Sequence, residues 1–149
     1  MKIGIATDHG GFEMKQGLLA RLRAAGHEVT DFGATQLMST DDYPDFVIPL
    51  SEAVGNGRLE RGVAVCGSGV GACVVANKVR NVRACLIHDE FSARQGVEDD
   101  DMNVICFGGR VMDEPTAWKL TQIFLAARFS GAERHMRRLT KVNALEAKR

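Results

Sequence analysis

The sequence predicts a doubly wound α/β domain: a five-stranded parallel sheet of the Rossmann-like type, with helices on both faces and an extra C-terminal helix. Short apolar runs rich in β-branched residues alternate with segments of helical period. The strand segments are continuously apolar, which indicates strands buried on both faces. A helical segment between consecutive strands provides the crossover that parallel strands require. The length of 149 residues suits a single domain, 1–149.

Each element has its own signal in the chain. The first strand is KIGIAT, and the helix behind it repeats apolar residues at Met14, Leu18 and Leu22 before Gly26 ends it. The remaining predicted elements are, in chain order, the strand EVTDFG, a helix around 46–54, the strand GVAVCG, a helix from about 70 to 79, the strand RACLIH, a short helix near 91–97, the strand NVICFGG, a long helix after Pro115 and a basic helix from about Glu133. The simplest strand order is 2-1-3-4-5, in which ligands bind beyond the carboxyl ends of strands 1 and 3.

The composition excludes several classes of protein. Lys+Arg and Asp+Glu both count 19, so the formal net charge is zero, and neither nucleic acid nor an anionic membrane is an expected partner. No stretch approaches the roughly 18 apolar residues of a membrane span, and the N-terminal MKIGIATDHGG does not resemble a signal peptide. The four cysteines form no CxxC pair and have no histidine at metal-ligand spacing. We therefore expect a cytoplasmic protein with reduced thiols and no metal.

The glycine-rich stretch CGSGVGA, residues 66–72, runs from the end of the third strand into a helix. Its glycines allow several backbone N–H groups to point into one cavity, with the N-terminus of the helix behind them. The stretch is typical of an anion site. A thiol near a helix N-terminus loses its proton more readily, so Cys66 is a candidate base or nucleophile. Because Cys73, Cys85 and Cys106 lack this context, we expect them to be core residues.

Two other functions can be compared with this stretch: the sequence excludes the first and fits the second only in part. A low-molecular-weight phosphatase needs an arginine six residues after the cysteine, and that position holds Ala72. The dinucleotide fingerprint G-x-G-x-x-G/A does fit Gly67, Gly69 and Ala72, with Asp89 about 20 residues further on. However, this fingerprint follows the third strand, too little chain remains for a second nucleotide half, and Cys66 has no role in it. A nicotinamide-dependent oxidoreductase is therefore the weaker alternative.

Two further groups carry charge suited to a phosphorylated ligand. Asp8 and His9 follow the first strand, at the same predicted edge as Cys66, where a carboxylate can hold hydroxyls and an imidazole can meet a phosphate. Capping of the next helix would explain the same two residues. Arg134 and Arg138 stand at i and i+4 on the last helix, a spacing suited to gripping a phosphate. A basic, solvated helix face is the alternative.

Several motifs together resemble one known family. DHGGFEMK, DYPDF, CGSGVG followed by ANKVRNVRA, FGGRV and RHMRR resemble, in order and across nearly the whole chain, the ribose-5-phosphate isomerase B and galactose-6-phosphate isomerase family. The resemblance implies an aldose–ketose isomerase of a phosphorylated sugar that needs no cofactor and works through an enediolate. It also implies a homodimer or homotetramer with the active site between subunits.

The resemblance also assigns roles to residues. It implies that Cys66 is the base that moves a proton between C1 and C2, and that Ser68, where many relatives carry Thr, moves a proton between O1 and O2. The enediolate would be held by the amides of Gly67, Gly69, Val70 and Gly71. The sugar hydroxyls would be bound by Asp8 and Tyr43. The phosphate would be bound by His9, Arg134 and Arg138, with support from Arg110, and the two helical arginines would come from the neighbouring subunit.

The chain departs from the family pattern at Asp99 and Asp100, where well-known members have His-Asn. That histidine is credited with opening the sugar ring, and the asparagine with holding an oxygen near the enediolate. An aspartate has a reference pKa near 3.9 against about 6.5 for histidine, which makes it a poorer acid at neutral pH. A tetrose 4-phosphate cannot form a furanose and needs no such acid, so erythrulose 4-phosphate is a candidate substrate. His88 is another candidate acid, and a non-catalytic phosphate-ligand-binding module is the remaining alternative.

Overall fold

The computed structural model describes residues 1–148. A 3₁₀ turn, His9–Gly11, follows the first strand. The strands are β1 (Lys2–Thr7), β2 (Glu28–Asp31), β3 (Arg61–Cys66), β4 (Ala84–Leu86) and β5 (Val104–Gly108), and the helices are α1 (Phe12–Ala24), α2 (Tyr43–Gly55), α3 (Val70–Ala76), α4 (Glu90–Asp100), α5 (Glu114–Ala126) and α6 (Glu133–Glu146). The predicted fold class is confirmed, with every predicted element present.

All four strand pairings are parallel, and the strand order is β2-β1-β3-β5-β4. The predicted order was therefore wrong for the last two strands, which exchange places. All five residues of β5 are buried, and they pair with β3 from Gly62↔Val104 to Cys66↔Gly108. In contrast, β4 has three residues, of which two are only partly buried. A short, partly exposed strand belongs at the edge of a sheet, whereas a fully apolar one must be covered on both sides.

Two separate cores cover the sheet. One face packs against α1, α4 and α5, and its largest fully buried members include Ile5, Leu18, Phe107 and Phe124. The other face packs against α2 and α3, around residues that include Ala6, Val47 and Leu50. Each large apolar side chain removed from water stabilises the fold by roughly 1.5–3 kcal/mol. Packing on both faces therefore holds the strands in place, and with them the loops at each edge of the sheet.

Two buried cations hydrogen-bond to neighbouring segments of the chain and hold them against the sheet. Lys15 of α1 is fully buried, and its Nζ donates to both carboxylate oxygens of Asp31, at 3.0 and 2.8 Å, and to the Ala34 carbonyl at 2.8 Å. Arg61 at the start of β3 donates to the carbonyls of Phe124 at 3.0 Å and Ala127 at 3.2 Å. Burial lowers the pKa of Arg61 below its ordinary value. Within 1–148, no helix combines the length and apolar character needed to cross a bilayer.

Candidate active site

A cavity of about 390 Å³ opens at the carboxyl edge of the sheet, where β1, β3 and β5 end. Its volume lies in the range of small-ligand sites, roughly 300–1,000 Å³. The lining residues are Asp8, Tyr43, Cys66, Gly67, Ser68, Gly71, Arg110 and Val111. Seven of these eight residues, all except Val111, are predicted from the sequence to bind or act on a ligand. The cavity lies beside the carboxyl ends of β1 and β3, where the sequence predicts a ligand site.

Cys66 is the last residue of β3 and is 4% exposed. Its Sγ accepts a hydrogen bond from the Gly69 N–H at 3.1 Å, which fixes the sulfur beside the backbone of the loop. Gly69 has a φ of 80° and is the N-cap of α3. A Cβ at this position would lie 2.7 Å from the carbonyl carbon of Phe107, so glycine is needed for both the conformation and the space.

The loop after β5 holds the glycine-rich loop in place. The N–H of Gly109 donates to the Cys66 carbonyl at 2.9 Å, and the N–H of Arg110 donates to the Gly67 carbonyl at 3.0 Å. The Arg110 guanidinium lies over Gly67, where a Cβ would be 3.5 Å from Nη1. The Arg110 cation therefore lies against the glycine-rich loop where this loop lines the cavity.

The 3₁₀ turn brings a second loop against the first. A Cβ on Gly10 would lie 2.6 Å from the backbone nitrogen of Gly67 and 2.8 Å from its Cα. Asp8 is 7% exposed, and its Oδ1 accepts from the Gly10 N–H at 2.9 Å. Asp8 is thus both a helix-type cap and a lining residue of the cavity, so the two interpretations of this residue hold together.

His9 is held by a residue that the sequence interpretation missed. Its backbone N–H and its Nδ1 both contact Asp41 Oδ1, at 2.9 and 2.6 Å. Among the described residues, Asp8, His9 and Asp41 are the one group whose ligand atoms all lie within 4.8 Å and could hold a metal ion. Because Asp41 Oδ1 contacts both the backbone N–H and the Nδ1 of His9, Asp41 fixes the orientation of the imidazole ring. Two successive acids at 41–42 were the only sequence signal.

Tyr43 begins α2 and places its ring across Gly71 of α3. A Cβ on Gly71 would lie 2.6 Å from the Tyr43 Cζ, so the absent side chain leaves room for the ring. Ser68 is exposed at the rim of the cavity, and its Oγ accepts from the Val70 N–H at 3.3 Å. Both hydroxyls therefore border the same space as the Cys66 sulfur.

The acidic stretch at 98–101 extends the short helix beyond its predicted end near residue 97. Glu98, Asp99 and Asp100 belong to the last turn of α4, and Asp101 caps it with a φ of 52°. This turn lies at the amino edge of the sheet, because β5 starts directly afterwards beside the start of β3. Six residues of β3 separate the two edges by about 17 Å. Within one subunit, Asp99 and Asp100 therefore do not reach the cavity around Cys66.

Arg134 and Arg138 share this amino edge. Both are exposed on α6, which packs against α4. Between them, His135 is buried at 3% exposure, and its Nε2 lies 3.3 Å from Asp99 Oδ1. The sequence interpretation gave His135 no role. Its place between two exposed arginines in a basic helix offered no periodic signal of burial.

The remaining cysteines lie between α3, β4 and β5. All four cysteines are free thiols, and Cys106 is buried while Cys73 and Cys85 are partly exposed. A hydrogen bond from the Cys106 thiol lowers the pKa of Cys73 to about 7, and the same bond raises the pKa of Cys106. The expectation of core residues holds fully for Cys106 and partly for the other two.

The order of motifs, the fold and the cavity agree with a single family. Residues 3–142 match the Ribose/Galactose Isomerase family. The chain belongs to this family. Ribose-5-phosphate isomerase B of Clostridium thermocellum has 38% sequence identity and a TM-score of 0.95, with 99% of each chain covered.

Two further members bear on the ligand. The Mycoplasma genitalium ribose-5-phosphate isomerase B, solved with bound ribulose-5-phosphate, has 35% identity and a TM-score of 0.94 over 99% of this chain and 97% of that one. The D-erythrulose-4-phosphate isomerase of Pectobacterium atrosepticum is 33% identical over 131 residues, which is 88% of this chain and 86% of that protein. The family therefore includes isomerases named for a pentose phosphate and for a tetrose phosphate.

Proposed function

We propose that this protein is an aldose–ketose isomerase of a phosphorylated sugar, with ribose 5-phosphate and ribulose 5-phosphate as the first candidate pair. One observation carries the proposal. Cys66, the glycine-rich loop at Gly67 and Gly71, Asp8 and Arg110 line one small cavity. This set provides a base, donors for a developing oxyanion, an acceptor for hydroxyls and a cation. A site for binding alone has no need of the sulfur.

The reaction needs one proton to move between two carbons. Cys66, as a thiolate, takes the C2 proton of the aldose and returns it to C1, with an enediolate between the two steps. Of the four amides that the resemblance assigns to the enediolate, those of Gly67 and Gly71 belong to residues that line the cavity, and they stabilise the negative oxygen. The N–H groups of Gly69 and Val70 instead donate to Cys66 Sγ and Ser68 Oγ and so position these two side chains. Removal of one oxyanion donor typically costs about 2.7–4 kcal/mol. The Ser68 hydroxyl moves the proton between O1 and O2. Asp8 and Tyr43 hold the remaining hydroxyls.

The phosphate site is completed by a second copy of the chain. His9 and Arg110 stand at the carboxyl edge, whereas Arg134 and Arg138 are exposed at the amino edge of the same subunit. A symmetric dimer brings the amino edge of one subunit against the cavity of its partner, so that Asp99 and Asp100 also reach the substrate. Each dimer then has two equivalent sites. Whether two dimers associate further does not alter this geometry.

The acids at 99 and 100 make a tetrose 4-phosphate the second candidate substrate. Asp100 as a carboxylate accepts but does not donate hydrogen bonds, and it repels an enediolate. A substrate that forms no ring places no demand on Asp99 as an acid. The Pectobacterium relative, named for erythrulose 4-phosphate, supports this choice. The free thiols fit a reducing compartment such as the cytoplasm.

The test compares three substrates and then measures the effect of removing the Cys66 thiol. Purified protein is assayed in parallel with ribose 5-phosphate, allose 6-phosphate and erythrulose 4-phosphate, and the preferred substrate is then tested with Cys66→Ala. We expect turnover of at least one sugar phosphate and its loss, by about 10²-fold or more, in the variant. Cys85→Ala is the matched control, since this thiol lies outside the cavity.

Two results would contradict the proposal. Turnover of none of the three sugar phosphates by the folded dimer, with tight binding of a sugar phosphate retained in Cys66→Ala, indicates a non-catalytic binding module. Binding of a nicotinamide nucleotide in a calorimetric titration indicates an oxidoreductase.

A further inference from the structure

His135 is the one residue of α6 that is buried among those described, and the surrounding helix is basic and exposed. Its Nε2 lies 3.3 Å from Asp99 Oδ1, within ion-pair range but without the alignment of a hydrogen bond. Neither ring nitrogen makes a hydrogen bond to another group of the described chain. An imidazole buried in this way is costly compared with an apolar side chain of similar size, which would seal the contact between α4 and α6 equally well.

The carboxylate opposite His135 is fixed from its other side. Gln95, one turn earlier on α4, donates its Nε2–H to Asp99 Oδ2 at 2.7 Å. This bond makes Oδ2 the acceptor oxygen, so a proton on the carboxyl group resides on Oδ1, the oxygen that faces the imidazole. The side chain of Asp99 is 27% exposed, whereas that of His135 is 4% exposed. Asp99 can therefore meet a substrate, and His135 can act only through Asp99.

We propose that His135 is a positioning residue that supplies Asp99 with the proton needed to open a sugar ring. The inference rests on the proposed isomerase function, and it names ring-forming sugar phosphates as the substrate class. A furanose must open before its C2 proton can be removed, and this step needs an acid at the ring oxygen. His135 Nε2 and Asp99 Oδ1 lie 3.3 Å apart, close enough for a proton to pass from the buried ring to the partly exposed carboxyl group.

The step balances with water as the only other participant. The bond between C1 and the ring oxygen breaks, its electron pair goes to the ring oxygen, and that oxygen takes the proton of Asp99 Oδ1. The O–H pair of the C1 hydroxyl forms the carbonyl, and its proton passes to water. Nε2 of His135 then returns a proton to Asp99, and the imidazole is recharged from water through the same carboxyl group.

The test uses two substrates that differ in ring formation. Ribose 5-phosphate closes to a furanose, whereas erythrulose 4-phosphate cannot. The variant His135→Gln keeps an N–H donor near the position of Nε2 but carries no exchangeable charge. We expect kcat/KM for ribose 5-phosphate to fall by about tenfold or more, within the range of general acid catalysis, while the value for erythrulose 4-phosphate changes less than about twofold.

Three comparisons separate proton supply from packing. His27→Gln, a partly exposed histidine outside the site, should leave both substrates unchanged. Asp99→Asn should lower kcat/KM for ribose 5-phosphate more than for erythrulose 4-phosphate. Combining it with His135→Gln should cost no more on ribose 5-phosphate than the larger single effect, because the residues act as a unit. Should His135→Gln fail to fold, Gln95→Met releases Oδ2 without touching the buried ring and should give the same split.

Some results would overturn the role of His135, and another would contradict the isomerase function itself. An equal loss on both substrates in folded protein, or unchanged turnover of ribose 5-phosphate, overturns the role of His135. Wild-type protein that converts erythrulose 4-phosphate but not ribose 5-phosphate also overturns it, while leaving the isomerase function intact. Wild-type protein that converts no sugar phosphate contradicts the proposed function itself, so the two failures are distinct.

Discussion

The contact between the loops after β1 and β3 can be tested by adding one methyl group. In Gly10→Ala, the new Cβ would lie 2.6 Å from the Gly67 nitrogen, about 0.8 Å short of the 3.4 Å at which ordinary contact begins. Both partners are backbone, so the glycine-rich loop itself must move. Overpacking of this kind costs roughly 1–3 kcal/mol, which a domain with about 5–15 kcal/mol of stability survives.

The catalytic effect should exceed the effect on stability. Gly67 belongs to the loop of amides beside Cys66, and a misplacement of about 1 Å at a reacting centre can cost about 10²-fold in rate. We therefore expect Gly10→Ala to be folded and to keep the oligomeric state of the wild type, with kcat/KM lowered by about 10²-fold. The measurements are urea unfolding and isomerase assays on the preferred sugar phosphate.

A matched control is available in α1. A Cβ on Gly17 would lie 2.8 Å from Glu114 Cγ, so this methyl group meets a side chain rather than backbone. Gly17→Ala should keep wild-type activity, because the helix-propensity gain of up to about 1 kcal/mol and the displacement of Glu114 both act outside the cavity. Wild-type kcat/KM in folded Gly10→Ala would refute the view that the two loops position each other.

Three further changes test the supports of the site. Lys15→Met should destabilise the protein by about 3–5 kcal/mol in urea unfolding, because it leaves the Asp31 carboxylate without its buried partner, and Asp31→Asn in the same background should recover part of the loss. Tyr43→Phe should leave unfolding unchanged and raise KM by about twofold to tenfold, the value of one neutral hydrogen bond, while an unchanged KM would remove the hydroxyl from the site. Asp113 accepts hydrogen bonds from Thr116, and these lower the pKa of its carboxyl group below the ordinary value of 3.8. The stabilisation that the Asp113 carboxylate gives α5 is therefore complete above pH 3.8, and it is lost as the pH falls through the lower pKa of the folded state. Asp113→Ala should therefore lower stability at pH 7 and lose this effect in strongly acidic solution, and a deficit that persists there would contradict the assignment.

The parts of the fold that follow from local patterns were predictable. Continuous apolar strands and the CGSGVGA stretch placed Cys66 at the correct edge, since the carboxyl ends of parallel strands meet there. The order of β4 and β5 was not predictable from their succession in the chain. Their difference in length and apolar character held the information, because the shorter strand tolerates an edge.

The end of α4 was missed for an electrostatic reason. Four successive acids oppose the negative end of a helix dipole, which favours a loop. In the folded chain, Gln95 donates to Asp99, and Arg83 binds the Asp101 carboxylate at 2.7 Å, so contacts from elsewhere offset this cost. His135 and Asp41 were missed because each has a role only through a partner that is distant in sequence.

In the proposed dimer, each active site combines Cys66 of one subunit with the amino edge of the other. A hybrid dimer of one Cys66→Ala subunit and one Arg138→Ala subunit, purified through two different tags, tests this arrangement. Both defects fall in the same site, so the other site is intact and the hybrid should have about half of wild-type activity, although each parent is inactive. A hybrid as inactive as its parents would contradict the shared site.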